Sequence, residues 1–97
     1  MSDKETIKTK SFRTLERLVR SFANHRRIQI LGILKQTPEM SVGELADELK
    51  INFKTAADHI RRLSIGGMLM KRPDGTSIRH KVTDRGLRVL EFLRILE

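Results

Sequence analysis

Lys54, Thr55, Asp58, Arg61 and Arg62 stand close together in the chain, and four more cations, Lys71, Arg72, Arg79 and Lys81, follow a short way on. Side chains of these types share one chemistry. Ammonium and guanidinium groups pair with phosphate oxygens and, when suitably placed, donate to the N7 and O6 acceptors of guanine; a carboxylate accepts from the cytosine amino group, and a threonine hydroxyl does either. None of this makes or breaks bonds. The chain has no Cys, which excludes a thiol nucleophile, a thiolate metal site and a disulfide framework. It also has no Gly-rich phosphate loop and no cluster of His with carboxylates, so no catalytic constellation is expected. His25, His59 and His80 lack the HxxxH or HxH spacing of a metal pair, so neither a metal nor any other cofactor is expected.

The whole chain carries the same message in its charge. Twenty Lys and Arg against twelve Asp and Glu leave +8 over 97 residues, with 38% apolar and 33% charged side chains. That apolar fraction suits one globular domain with one core, and the positive excess favours a polyanionic partner through counterion release. The charge is uneven: positive to residue 38, negative from Glu39 to Lys50, positive again from Ile51 onward. The acidic middle would repel phosphate, so binding is expected to use its neighbours. No apolar run approaches the roughly 20 residues of a membrane span, and Met1–Lys10 has no apolar region of a secretory signal, so a cytoplasmic protein without membrane contact is expected.

The elements that position the cations can be read from periodicity. Residues 1–10 have one large apolar side chain, Ile7, and are expected to form a basic arm, leaving 11–97 as a single domain. Phe12, Leu15, Val19 and Phe22 recur at helical spacing. Asn24 is placed to end that helix and cap a second, whose Ile28, Ile30, Leu31, Ile33 and Leu34 make it apolar over much of its circumference, as suits a central helix ending near Thr37. Ser41-Val42-Gly43-Glu44 has the form of a capping box and opens a short helix to Lys50. Asn52 caps the next helix, which buries Ala56, Ile60 and Leu63 and ends at Gly66-Gly67. Two short helices in this arrangement have the shape of a helix-turn-helix. Pro73-Asp74-Gly75 then turns a β-hairpin in which Ile78, His80 and Val82 alternate with Arg79 and Lys81, so a basic side is expected, with His80 pointing inward beside Ile78 and Val82. Thr83 caps a last helix bearing Leu87, Leu90, Phe92, Leu93 and Leu96. The fold class is mainly α with a small β-hairpin.

At 100° per residue, Lys54, Asp58 and Arg61 fall opposite the Ala56–Ile60–Leu63 stripe, with Thr55 and Arg62 beside them. Asn52, Lys54, Thr55, Asp58, Arg61 and Arg62 on this helix and Lys71, Arg72, Arg79 and Lys81 on the hairpin are the candidate residues for a nucleic-acid partner, and for DNA if the resemblance given next holds. For Asp58 two readings stand side by side: acceptance from a cytosine amino group, or an i,i+3 or i,i+4 partner for Arg61 or Arg62. His59 is expected to pack at the edge of the helix.

In order along the chain, Ala23–Leu31, Ser41–Ala46, Thr55–Leu63 with Gly67-Met68-Leu69, and Val82–Gly86 resemble ArsR-type winged helix-turn-helix regulators, the last stretch with a wing exit shared with MarR-type relatives. The resemblance covers residues 23 to 90. It implies a transcription regulator, repressor by expectation, that binds double-stranded DNA as a homodimer. In that reading the recognition helix, about 53–65, enters the major groove and the wing, about 69–82, follows backbone or minor groove. Arg26 and Arg27 would hold a phosphate in the manner of the family, or else pair with Glu44 or Asp47. Many ArsR-type members sense metals through a cysteine pair near the recognition helix, or through Asp and His on the last helix; this chain has no Cys, and no His after His80.

The first and last helices carry more large apolar side chains than a three-helix core with a hairpin needs. Phe12, Leu15, Val19, Phe22, Leu90, Leu93 and Leu96 are accordingly the expected homodimer interface, which would hold two recognition helices about 34 Å apart. The alternative is a winged-helix module for a protein partner or RNA. Readers of single-stranded RNA stack bases on exposed aromatics, and here only Phe53 is off the apolar stripes.

Overall fold

Each helix starts at a side chain that accepts from its own first turn. In the computed structural model, which describes residues 11–97 and so leaves the expected arm outside, these caps are Ser11, Asn24, Ser41, Asn52 and Thr83. The described residues run α1 (Phe12–Phe22), α2 (His25–Gln36), α3 (Val42–Leu49), α4 (Phe53–Ile65), β1 (Leu69–Asp74), β2 (Ser77–Val82) and α5 (Asp84–Leu96). Asn24 both separates α1 from α2 and caps α2, its Oδ1 accepting from the amides of Arg26 and Arg27 at 2.9 and 3.2 Å. The Ser41 capping box is closed in both directions: Glu44 N–H donates to Ser41 Oγ, and Ser41 N–H to the Glu44 carboxylate. Lys50 ends α3 at φ 58°, the left-handed conformation of a helix C-cap.

The core lies where the inner faces of the helices meet. Ile30, Leu31 and Leu34 of α2 are fully buried, among Phe22, Leu45, Leu49, Ile60, Leu63, Met68 and Leu69. α1 packs on α4, while α5 packs on α2 and β2. Phe22 belongs to this core, at 8% exposure, and so corrects its assignment to a dimer interface. Its position at the end of α1 puts it in the core cluster, on the helix that packs on α4.

The hairpin pairs Leu69 with Val82 through to Asp74 with Ser77, around Gly75 and Thr76. Gly75 has φ 66°, which a side chain would resist, so the turn sits one residue later than Pro-Asp-Gly suggests, and Pro73 lies within β1. The segment before α3 adds a short third partner: His80 N–H donates to the Met40 carbonyl and Glu39 N–H to the His80 carbonyl, both at 2.9 Å. His80 is 2% exposed, as expected, but Ile78 is 46% exposed. The inward reading fails for Ile78 because the strand has run past the core by then. Thr83 closes the wing, donating to the Gly67 carbonyl and accepting from Gly86 N–H.

Candidate nucleic-acid interface

The helix expected to be the recognition helix is α4, and its register is set by its buried stripe. Ala56, Ile60 and Leu63 are 2% exposed or less, so Lys54, Asp58, Arg61 and Ile65 face outward with Thr55 and Arg62 at their flank. Asn52 Oδ1 accepts from Thr55 N–H at 2.8 Å, so this cap fixes the start of the helix that presents Lys54 and Thr55. The same bond occupies the acceptor of Asn52, leaving its side-chain amide as a donor.

In the free protein Asp58 takes the second of its two readings, as a partner within the helix. Its carboxylate accepts from Arg61 Nη2 at 2.8 Å and from Arg62 Nε at 3.1 Å, and these two hydrogen bonds hold its pKa below the ordinary carboxylate value against the opposing effect of desolvation. All three side chains remain about half exposed. The pairs are therefore local and open to exchange for phosphate.

The wing cations are divided by the strand register. Cross-strand partners share a face, so Arg72, Arg79 and Lys81 lie on one side and Lys71, opposite His80, on the other. The expected single basic side is thus split. Arg79 is committed to the fold: it donates to Asp74 at 3.1 Å, to Glu44 at 3.0 Å and to the Glu39 carbonyl at 3.0 Å, and the first two raise its pKa further. Arg72 pairs with the carboxylate of Glu39. Lys71 and Lys81 are exposed. The pairing of Arg26 or Arg27 with Glu44 or Asp47 does not form among the described residues; Arg26 donates to Gln29 at 3.2 Å, and Arg27 Nε is buried without a partner. His59 is half-buried at the edge of α4, and burial first, then the charge of Arg27, lowers its pKa.

Phe53, the one aromatic that the sequence leaves off the apolar stripes, is 61% exposed at the first position of α4, so the first turn of α4 stands beyond the core. What escaped the sequence reading is the double use of Glu44, which closes the capping box and receives Arg79 from the wing 35 residues away. No local pattern announces that contact.

On the remaining helices, Phe12, Leu15 and Val19 are exposed, at 68, 38 and 50%, and Leu96 at 66%. Leu90 and Leu93 are half-buried against the protein's own core. The outward apolar residues of α5 are Leu87, Phe92, Ile95 and Leu96.

Known proteins agree with this geometry. Residues 24–64, which span α2, α3 and nearly all of α4, match the model of the winged helix-turn-helix DNA-binding family. No curated protein matches the chain in sequence. Among solved structures, the chain is similar to the homodimeric winged helix-turn-helix DNA-binding domain Mb0332 from Mycobacterium bovis, described as a possible ArsR-family transcriptional regulator. The identity is 25%, with a TM-score of 0.79 over 99% of this chain and 85% of that one. It is also similar to reduced HlyU from Vibrio cholerae, at 26% identity and a TM-score of 0.76 over 96% of both chains. NolR from Sinorhizobium fredii shares the fold at 22% identity and a TM-score of 0.79, over 99% of this chain and 93% of its own. The helix-turn-helix is matched over residues 24–64, and the wing and flanking helices complete the winged helix-turn-helix architecture of these structures, to which the chain is similar.

Proposed function

We propose that the chain is a sequence-specific transcription regulator that binds duplex DNA as a homodimer and acts as a repressor in the cytoplasm, without catalysis of its own. The observation that carries this reading is the outward face of α4, where Lys54 and Thr55 stand exposed on a capped, core-anchored helix beside Arg61 and Arg62. A helix of this kind fits the major groove, where Lys and Arg find guanine acceptors. Lys81 and Lys71 on the wing supply phosphate contacts on either side of the hairpin. The two-fold partner seats on the stripe of Phe12, Leu15 and Val19 together with Phe92, Ile95 and Leu96, since α1 and α5 each pack on a different helix of their own domain and leave these side chains uncovered. The homodimeric state of the Mycobacterium bovis domain supports that arrangement.

The test is fluorescence anisotropy with a short duplex from the region upstream of the protein's own gene and a scrambled duplex of equal length, combined with sedimentation. Tighter binding of the first duplex by orders of magnitude, with two chains per duplex, is the expected result. Failure to bind any duplex at low salt would transfer the fold to a protein or RNA partner.

A further inference from the structure

α1 has three sides. Leu18 and Phe22 face the core, Phe12, Leu15 and Val19 form the exposed apolar stripe, and Arg13, Arg17 and Arg20 cluster on the remaining side within about 60° of one another. That basic side opens toward α4. Arg17 and Arg20 of α1, Arg27 of α2, and Arg61 and Arg62 of α4 line one groove of about 410 Å³, floored in part by Ser21 and Ile65. Two carboxylates lie close by, Glu16 paired with Arg20 at 3.2 Å and Asp58 shared by Arg61 and Arg62. Five cations thus face two anions. Arg17 and Arg27 form no ion pair among the described residues, and the Nε of Arg27 is buried without a hydrogen-bond partner. Burial first, then the neighbouring charge of Arg62, lowers the pKa of Arg27, and Asp58 partly offsets this.

Such a cluster lacks an anion to complete it. Ile65 and Arg61 belong to the same outward face of α4 as Lys54, so the groove continues the helix surface assigned to the DNA. We propose that this groove is a second phosphate-binding site, in which the arginine side of α1 and Arg27 grip the DNA backbone beyond the stretch contacted by the first turns of α4 and by the wing. This rests on the DNA-binding reading above. It makes α1 an element with two jobs on different sides, dimer contact on one and backbone contact on another. A phosphate oxygen would take the unpaired Arg27 donor and draw Arg61 and Arg62 partly away from Asp58.

The experiment compares the full chain with Arg17→Gln/Arg20→Gln by anisotropy from 50 to 200 mM salt, on duplexes selected from a randomised pool and on a scrambled duplex. Both arginines are exposed, so folding is preserved, which circular dichroism and sedimentation verify. Two lost phosphate contacts lower the slope of log affinity against log salt by about 2, shrinking the change over that range by about tenfold, and do so equally on both duplexes. An unchanged slope with unchanged affinity overturns the site while leaving the DNA reading intact; wild-type protein that binds no duplex overturns both. Inorganic pyrophosphate is the control for a free anion. If it shifts the Arg27 Nε–H resonance in the absence of DNA and the slope is unaffected by the double variant, the groove belongs to a soluble anion and the backbone assignment falls.

Discussion

The recognition helix and the wing carry the same residue type in two different states. On α4 the arginines pair within the helix, three and four residues from Asp58, and every member of the trio stays half exposed. On the wing Arg72 and Arg79 pair across elements, with Glu39 and Glu44, over 33 and 35 residues of chain. A local pair of exposed groups contributes little to stability and can be traded for a phosphate without moving the backbone. A long-range pair fixes one element against another, so its arginine positions the binding surface instead of forming it. Counting cations does not separate the two; the sequence distance to the partner does.

The largest effect is expected where side chains reach base edges. Lys54→Ala with Thr55→Ala should reduce the ratio of affinities for a selected over a scrambled duplex by about 10- to 100-fold, while binding to the scrambled duplex weakens far less. A proportionate loss on both would mean that α4 holds backbone only. The wing gives the next contrast. Lys81→Ala should lower the salt slope by about 1 and leave the melting temperature in place, because Lys81 forms no ion pair among the described residues. Arg79→Ala should do the reverse, lowering the melting temperature and weakening binding to both duplexes with little change of slope. If Arg79→Ala moves the slope as Lys81→Ala does, Arg79 is a phosphate ligand and the division between the two states collapses.

Much of the architecture was legible because it is set locally. Asn24, Ser41, Asn52 and Thr83 are caps whose partners lie two or three residues away, and all of them cap in the structure. The buried stripe of α4 followed from the same period, and with it the outward positions of Lys54, Asp58 and Arg61. What escaped depends on distance through space. Phe22 continues the apolar stripe of Phe12, Leu15 and Val19 in sequence, yet it is buried in the core cluster while they are exposed. Leu90 and Leu93 face the core and Phe92 and Ile95 do not, a choice made by where α2 lies rather than by any property of α5 alone. The Met40–His80 bridge and the Arg79 contacts join segments some 40 residues apart, beyond the reach of any periodicity.

That junction also predicts a pH dependence. His80 Nδ1 lies 3.1 Å from the Met40 carbonyl, and burial lowers the pKa of the imidazole, an effect the hydrogen bond partly offsets and nearby Lys71 reinforces. The folded protein therefore holds His80 neutral while the unfolded chain takes up a proton first. Stability is full above the ordinary histidine value near 6.5, declines as the pH falls below it, and levels off once the pH is under the folded value. His59 acts in the same direction. Melting temperatures at pH 7.5 and 5.5 should thus fall on acidification, and His80→Gln should reduce the difference between them whatever it does to the absolute values. An undiminished difference in that variant would place the titration elsewhere.

The smallest effect is the most direct probe of the exchange between ion pair and phosphate. In the free protein Asp58 neutralises part of the charge of Arg61 and Arg62, and its lowered pKa shows that the pairs favour the ionised carboxylate. DNA must therefore compete with Asp58 for the same donors. Asp58→Asn keeps the side-chain volume, removes the competing charge and leaves both guanidinium groups available, so non-specific affinity should rise, by less than about tenfold given how little exposed pairs are worth. Specificity separates the remaining possibilities. If Asp58 only competes, selected and scrambled duplexes gain equally. If it also turns to a cytosine amino group in the complex, the selected duplex gains less than the scrambled one, because acceptance from that base loses the assistance of the carboxylate charge.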